Sequence, residues 1–426
     1  MALSGSLALA LLFSLLSCYA SVPSLASSDG FIQCLSAAIP RQLLYTQSSP
    51  SFTSVLVSSI RNPKFSTPGT VRPLCIVTPT NASHVQAAVV CGRRNDVRIR
   101  VRSGGHDYEG LSYRSARPEV FAVVDLANLR SVRVDQKAAT AWVDSGATLG
   151  GLYYAVSKAS SQLAFPAGLC PTIGVGGHFS GGGFGMLLRK YGVAIDNVLD
   201  ATLVDANGRI LDKQAMGADV FWAIRGGGGE SFGIVLSWQK QAANFESMYL
   251  GTPDTLLPLM RSRFPELGLN RTHCKEMTWI QSAIPKDVWV KIFAWLGKPD
   301  AGLMIMDPYG GKIGSPPESA TPFPHRGGVL YNIQYMNFWS AATDGSAQTR
   351  WLKDLYAFMG PYVSKNPREA YANYRDLDLG QNVVVGNVTS YEAGKVWGEK
   401  YYKGNFQRLA TTSGTSRASH RYRQRS

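Results

Sequence analysis

Acidic residues are scarce in this chain. Its 426 residues hold 29 Asp and Glu against 43 Lys and Arg, a formal charge of +14. That surplus favours anionic surfaces, but the cations are scattered and no basic stripe with interleaved aromatics occurs. Nucleic acid is therefore excluded as a partner, and an anionic cell-wall polysaccharide is the better-fitting neighbour. Long apolar runs are as rare. Leu7 to Leu16 is too short to span a bilayer, and nothing later is long and apolar enough to do so. With small residues around Cys18-Tyr19-Ala20, residues 1–20 read as a secretory signal peptide, although no Lys or Arg precedes the apolar run. The expected location is secreted: extracellular, cell wall or another secretory compartment.

Histidine and cysteine number six each, and no H-E-x-x-H or paired C-x-x-C occurs, so no metal site is expected. Past the leader, Cys34, Cys75, Cys91, Cys170 and Cys274 are odd in number, leaving at least one unpaired or chemically committed. Sequons at Asn81, Asn270 and Asn387 suit a glycoprotein. The common nucleotide and hydrolase signatures also fail. There is no G-x-x-x-x-G-K-[ST], no G-x-G-x-x-G opening a helix with an acid some 20 residues on, and "HFSGG" has His178 where G-x-S-x-G needs glycine.

What is present is a globular composition, 45% hydrophobic and 11% aromatic, with length enough for two domains. Residues 71–101 read as strand, helix, strand, with Asn81 or Ser83 capping the helix. "FAVVDL", "SVRVD" and "TAWVDSG" read as strands and "LGGLYYAVSKAS" as a helix. "NVLDATLVDANGRILD" reads as a hairpin turning at Asn207-Gly208, a pair suited to a type I′ turn. Strands and helices mix without regular alternation, so the fold class is α+β. From about residue 240 the chain becomes rich in aromatics, which marks a domain boundary near 242 and a return to the first domain near 366. The last stretch, 410–426, is polar, Arg-rich and aperiodic, and reads as a disordered tail.

Glycine concentrates in three clusters: "RSGGHDYEG" (102–110), "GLCPTIGVGGHFSGGGFG" (168–185) and "FWAIRGGGGESFGIV" (221–235). Several such loops in one domain suggest convergence on one extended ligand. Their backbone N–H groups can cradle a diphosphate without a lysine. His106 and Cys170 stand inside these clusters, and either nucleophile could bond to an electrophilic ring.

With "FWAIRGGGGESFGIV", "MIMDPYGG" and "YANYRDLDLG" added, these stretches resemble the plant berberine bridge enzyme-like proteins. Those are FAD-linked oxidoreductases of the vanillyl-alcohol oxidase type. The resemblance runs from about residue 30 to residue 409. It implies a PCMH-type FAD-binding domain of two α/β subdomains (21–242) and an α+β substrate domain, an antiparallel sheet with helices (243–365). A berberine-bridge-type segment (366–409) follows. It further implies bicovalent FAD, with His106 on the flavin 8α-methyl and Cys170 on C6. Ser103, Gly104, Gly105, Gly176 and Gly177 match pyrophosphate and ribityl contacts, and Val235 an adenine contact. Asp107, Tyr108, Gly168 and Asn405 complete the cofactor set. His178 matches a histidine at the flavin N1–C2 edge, Cys34 and Cys91 match a disulfide pair, and Cys75 is left as a free core thiol.

The chemistry so implied is hydride transfer to flavin N5 from a C–H carrying a hydroxyl or amine, with oxygen or another acceptor taking the electrons onward. Tyr374 matches a base beside the flavin, a role that needs its pKa brought below the ordinary value of about 10. Gln334 matches a polar active-site position. Phe184 and Asn332 replace the Tyr and Lys of many relatives, which tilts the substrate toward a carbohydrate or other alcohol rather than a monolignol. Ile173 stands where relatives gate oxygen with valine or leucine, and its bulk slows reoxidation by oxygen. The chain is expected to be a monomer. Relatives carry more sequence between Lys240 and Phe245, so the substrate domain looks shortened. A catalytically impaired relative is therefore the alternative reading.

Overall fold

The computed structural model describes residues 28–418 except 118, 161–162, 230, 242, 245–251, 264–269, 272–283, 341–343, 383 and 386–387. The expected signal peptide, Cys274 and the sequon at Asn387 lie outside the described residues. The architecture is α+β, as the unalternating pattern implies.

Four strands make the first sheet: β1 (Leu44–Thr46), β2 (Cys75–Val77), β3 (Arg98–Arg102) and β4 (Phe121–Asp125), in the order β1-β2-β4-β3. β2 and β3 each pair in parallel with β4, and β1 is antiparallel to β2. The strand–helix–strand reading of 71–101 holds, yet β2 and β3 are not neighbours, because β4 inserts between them. All five residues of β4 are buried, since both faces of the sheet are covered. Cys75, Val77, Ala122 and Val124 join the cluster containing α1 (Ser28–Ala38) and α2 (Ala82–Arg94). Ile76, Phe121 and Val123 pack with Phe52 and Leu56 on the opposite face. The Asn81 side chain caps α2 by accepting the His84 N–H. A disulfide between Cys34 and Cys91, Cα atoms 5.7 Å apart, staples α1 to α2. Cys75 is a free thiol, and burial pushes its pKa up to about 12.

The second sheet comprises β5 (Val132–Asp135), β6 (Thr140–Asp144), β7 (Val198–Val204), β8 (Ile210–Leu211) and β9 (Ile234–Gln241). It is antiparallel throughout, in the order β5-β6-β9-β7-β8. Helices α3 (Leu149–Ala159), α4 (Val175–Ser180) and α5 (Lys213–Ile224) supply Leu152, Val156, Phe179 and Trp222 to its core, where Ala201, Leu203 and Trp238 meet them. The β7–β8 hairpin forms where expected, but its turn is not type I′. That turn needs two left-handed residues, and only Gly208 has positive φ (+77°). The Asp205 carboxylate accepts the N–H groups of Asn207 and Arg209, and this holds the loop in its different shape.

A two-stranded ribbon, β10 (Leu303–Pro308) and β11 (Tyr331–Met336), follows. Its period-two alternation splits it cleanly. Met304, Met306, Ile333 and Tyr335 pack with α6 (Lys286–Leu296) and α7 (Ser346–Met359). Ile305, Asp307, Gln334 and Met336 face a cavity instead. The chain then returns to the second sheet, where Tyr371, Tyr401, Tyr402 and Leu409 enter its core. Arg326 clamps this junction with paired 2.7 Å bonds to Asp196. α8 (Tyr391–Tyr402) and α9 (Asn405–Ala418) end the described chain.

The disordered tail expected over 410–426 needs correction as far as Ala418, where α9 ends; residues 419–426 lie outside the described residues. Tertiary packing accounts for it: Leu409, Thr412 and Ser413 are buried, and the Arg408 guanidinium lies 4.1 Å over the Trp222 ring and bonds Asp219.

Candidate functional site

A cavity of about 1390 Å³ runs between the two sheets and the β10–β11 ribbon. Two of the glycine clusters meet along one wall. Ser103-Gly104-Gly105 leaves the end of β3 and packs backbone to backbone against Gly174, the residue before α4. A Cβ on Gly104 would sit 2.2 Å from the Gly174 nitrogen, and one on Gly174 would sit 2.1 Å from Ser103 Oγ. No side chain fits at that crossing, which is the physical reason for glycine on both loops. His106 Nε2 lies 2.9 Å from Thr172 Oγ1, so the loop carrying His106 is tied to the loop carrying the exposed thiol of Cys170. Burial, helped by the Arg61 charge, holds the His106 imidazole below its usual pKa and thus uncharged.

The third cluster, Gly227 to Gly229, lines the same cavity with Val235. Two features mark this wall as a cradle for a bound group. A Cβ built on Gly177 meets nothing within 4 Å, so the space over that backbone is open. Ser145 Oγ is buried on the wall with no hydrogen-bond partner. An extended ligand that approaches backbone and accepts from a hydroxyl fits both, and FAD is such a ligand. Ser103, Gly104, Gly105, Asp107, Tyr108, Gly168, Gly176, Gly177 and His178 all line the cavity. The Asp107 carboxylate is also engaged locally, accepting the Glu109 and Ser112 N–H groups. Asn405 is not brought there. Its amide donates to the carbonyls of Glu318 and Thr321 and so pins the start of α9.

His178 accepts the Gly168 N–H at Nε2 (3.0 Å), which leaves the ring proton on Nδ1. Burial, with the charges of Lys240 and His106, lowers its pKa to about 3, so the ring is neutral. The Tyr153 hydroxyl holds the same loop by donating to the Gly168 carbonyl (2.6 Å).

The facing wall is aromatic and polar. Tyr108 and Tyr374 stack, Phe184 meets Tyr374 edge-on at 5.8 Å, and Gln334 donates its amide to the Tyr108 hydroxyl. Tyr374 lacks the condition its expected role requires. Burial pushes its pKa well up, and the surrounding phenols and Asp307 push in the same direction. Asp307, a cavity residue that sequence reasoning did not single out, is an ionisable acid on this wall, diagonally across the ribbon from the position of Gln334. Burial raises its carboxyl above the usual range, partly offset by the Asn332 amide, its partner across the β10–β11 register. One signal was available: a single carboxylate interrupting the apolar run "LMIMDP".

Comparison with known proteins agrees with this site. The family described as FAD binding domain matches residues 73–213, and that described as berberine and berberine like matches 370–412. Berberine bridge enzyme-like Cyn d 4 of Cynodon dactylon is 56% identical, covering 90% of each chain. The 467 positions of that alignment exceed the length of the present chain, which is therefore interrupted by gaps. Berberine bridge enzyme-like 27 of Arabidopsis thaliana is 42% identical over 89% of this chain and 88% of its own. Among solved structures, wild-type Phl p 4.0202, described as a glucose dehydrogenase, superposes with a TM-score of 0.82 at 53% identity, covering 91% of this chain and 97% of that one. The chain belongs to the berberine bridge enzyme-like family, and it is an FAD-dependent oxidoreductase.

Proposed function

We propose that this protein is a secreted oxidoreductase that carries FAD bonded through both His106 and Cys170 and oxidises a CH–OH group of a small carbohydrate. The observation that carries the reading is the convergence of a neutral imidazole and an exposed thiol on one wall of the cavity, opposite a polar and aromatic wall. When bound, FAD accepts the electron pair and hydrogen of the substrate C–H bond and passes the electrons to an acceptor. The family likeness gives the chemistry. The sugar assignment rests on the glucose dehydrogenase description of Phl p 4 and on Phe184 and Asn332, which replace the tyrosine–lysine pair of many relatives.

The residues divide the work. His106 and Cys170 anchor the ring, while Gly177 and Ser145 leave room and a hydroxyl for the rest of the cofactor. His178 lines the cavity as a neutral ring with its proton on Nδ1. As the C–H bond breaks, the substrate hydroxyl must release its proton and a carbonyl forms. Tyr374, held protonated, positions that hydroxyl by hydrogen bonding, Gln334 and Tyr108 hold the sugar, and the Asp307 carboxylate receives the proton. This reassigns the base role from Tyr374 to Asp307. Ile173, half-buried on the cavity wall, restricts oxygen, which makes the enzyme dehydrogenase-like. A Phl p 4 variant with valine in place of an isoleucine is described as a glucose oxidase, which supports this part of the reading.

The test has two stages. Denatured, washed protein should remain yellow, and peptide mapping should find flavin on both His106 and Cys170. Anaerobic screening should then bleach the flavin with glucose or its oligomers and not with monolignols or alkaloids. A colourless washed protein would end the covalent reading, and bleaching by monolignols alone would end the carbohydrate one.

A further inference from the structure

Lys240, on β9, is 1% exposed and has no carboxylate within ion-pair distance among the described residues. Its Nζ lies 3.8 Å over the Phe179 ring and 4.4 Å over the Phe165 ring, and it donates to the Ala194 carbonyl. Burial pulls the Lys240 pKa well below its ordinary value, and the Asp196 charge, the two ring faces and the Ala194 carbonyl oppose that and hold the ammonium. The nearby acid, Asp196, is already engaged by both guanidinium nitrogens of Arg326 and by the Val193 N–H.

The surroundings of Lys240 lead directly to His178. Phe179, under the ammonium, is the next residue along α4. Ala194, which accepts from Lys240, donates its own N–H to the Gly183 carbonyl at 2.6 Å. Gly183 is wedged between Ala194 and the imidazole: a Cβ there would lie 2.8 Å from Ala194 Cβ and 2.9 Å from His178 Cδ2. The cation thus stands one packing layer from the ring, and it is not among the residues that line the cavity.

We infer that Lys240 is a positioning residue whose buried charge adds to burial in opposing a second proton on the His178 ring, and makes this wall attractive to negative charge on the reduced cofactor. The Gly168 N–H fixes which nitrogen is bare, and the ammonium opposes a second proton. A neutral donor backed by a fixed cation stabilises an anion without having to lose or gain a proton during turnover. Among the described residues, the charged and titratable groups that face this part of the wall are Lys240 and His106, which act on the ring, Tyr371, whose hydroxyl accepts the Gly183 N–H, and Asp196 with its partner Arg326 beside Lys240. Lys240 differs from the equally buried Arg326 in having no carboxylate at ion-pair distance among the described residues.

The redox half of this inference rests on the flavin reading above, and the histidine half does not. Two variants separate charge from packing: Lys240→Met keeps bulk and removes charge, and Lys240→Arg keeps charge. In flavin-free protein, the ¹³C-labelled His178 ring should titrate in Lys240→Met at a pH at least one unit higher than in wild type, and Lys240→Arg should stay close to wild type. In flavin-loaded protein, Lys240→Met should make two-electron reduction about tenfold less favourable, about 30 mV lower. An unchanged His178 titration in Lys240→Met overturns the inference, as does a Lys240→Arg variant that matches Lys240→Met. If Lys240→Met does not fold, comparing Lys240→Arg with Lys240→Gln gives the same decision. A shifted histidine in protein that takes up no flavin would sink the flavin reading and leave this one standing.

Discussion

The rings of Tyr108 and Tyr374 lie stacked, with centroids 5.4 Å apart and planes 24° from parallel. Among the described residues, no cation eases the ionisation of either phenol. Burial and the Asp307 charge push both upward, Cys170 adds to the effect on Tyr108, and Tyr371 and Tyr309 add to that on Tyr374. This pair is therefore built to donate hydrogen bonds and to stack on a sugar face, and the proton must go elsewhere.

The Asp307→Asn variant should accordingly slow anaerobic flavin bleaching by about 10²–10⁴-fold, the usual contribution of a general base. Tyr374→Phe should cost less and keep the pH profile. The sign follows from the raised carboxyl pKa: the base is active when ionised, so the wild-type rate climbs as pH rises through a value above the ordinary 3.8. Stopped-flow bleaching across pH checks both. A Tyr374→Phe profile that loses this limb would return the base role to the tyrosine.

Much of this site was legible in the sequence, because glycine at a backbone crossing has few other uses. Gly104 and Gly174 stand out as ligand-loop residues from their clustering alone, and with them His106 and Cys170, whereas His178 enters only through the family resemblance. Asp307 does not, because its meaning depends on which face of β10 meets the cavity, and that is set by α6 and α7 packing on the other face. Lys240 is hidden for a similar reason: a lysine near the end of a strand reads as solvated until its neighbours are known. The tail reading fails over 410–418 because the helix that carries those residues is held at Arg408 by Asp219 and Trp222 on α5, partners that no local pattern records. Propensity and periodicity describe a segment, whereas these roles are set by contacts with distant segments.

Gly177 offers a substitution whose two effects have opposite signs. It lies inside α4, where alanine is favoured over glycine by about 1 kcal/mol. Its Cβ would meet no protein atom. Gly177→Ala should therefore raise the melting temperature of flavin-free protein while reducing flavin uptake, because the methyl fills the cradle. Gly104→Ala, with its clash against Gly174, should fail to fold at all. Melting curves paired with flavin absorbance decide the matter. Full flavin loading in Gly177→Ala would mean that the cofactor does not approach this backbone.

Ile173 donates its N–H to the Cys170 carbonyl at 3.2 Å, which holds its side chain beside the cysteine proposed to carry the flavin. Removing one methylene there opens a path without changing polarity. Ile173→Val should speed reoxidation by oxygen at least tenfold, a barrier change of about 1.4 kcal/mol, and leave bleaching by substrate unchanged. Reoxidation traces in aerated buffer provide the check. Equal oxygen rates in the two proteins would remove Ile173 as the gate.

The return of the chain at 366–371 depends on an ion pair that acid should release. Both ring nitrogens of His325 face acceptors, Glu369 Oε2 and the Ala370 carbonyl, each at 2.9 Å. Burial alone would raise the Glu369 carboxyl, but the hydrogen bond and charge of His325, joined by Lys403, outweigh it and leave the pKa below the ordinary 4.5. A carboxyl depressed on folding contributes stability that is complete above its unfolded value and is lost as pH falls through the folded one. Glu369→Gln should therefore melt earlier than wild type at pH 7, by an amount corresponding to about 1 kcal/mol after allowance for solvent screening. The gap between the two proteins should narrow as pH drops below 4.5 and close once wild-type Glu369 is protonated. Because Tyr371, two residues on, accepts the Gly183 N–H beside His178, the same acid range should loosen the flavin wall. Thermal melts across pH, followed by flavin fluorescence as well as by circular dichroism, would show both changes moving together. A gap that stays constant through pH 3 would mean the pair contributes packing alone.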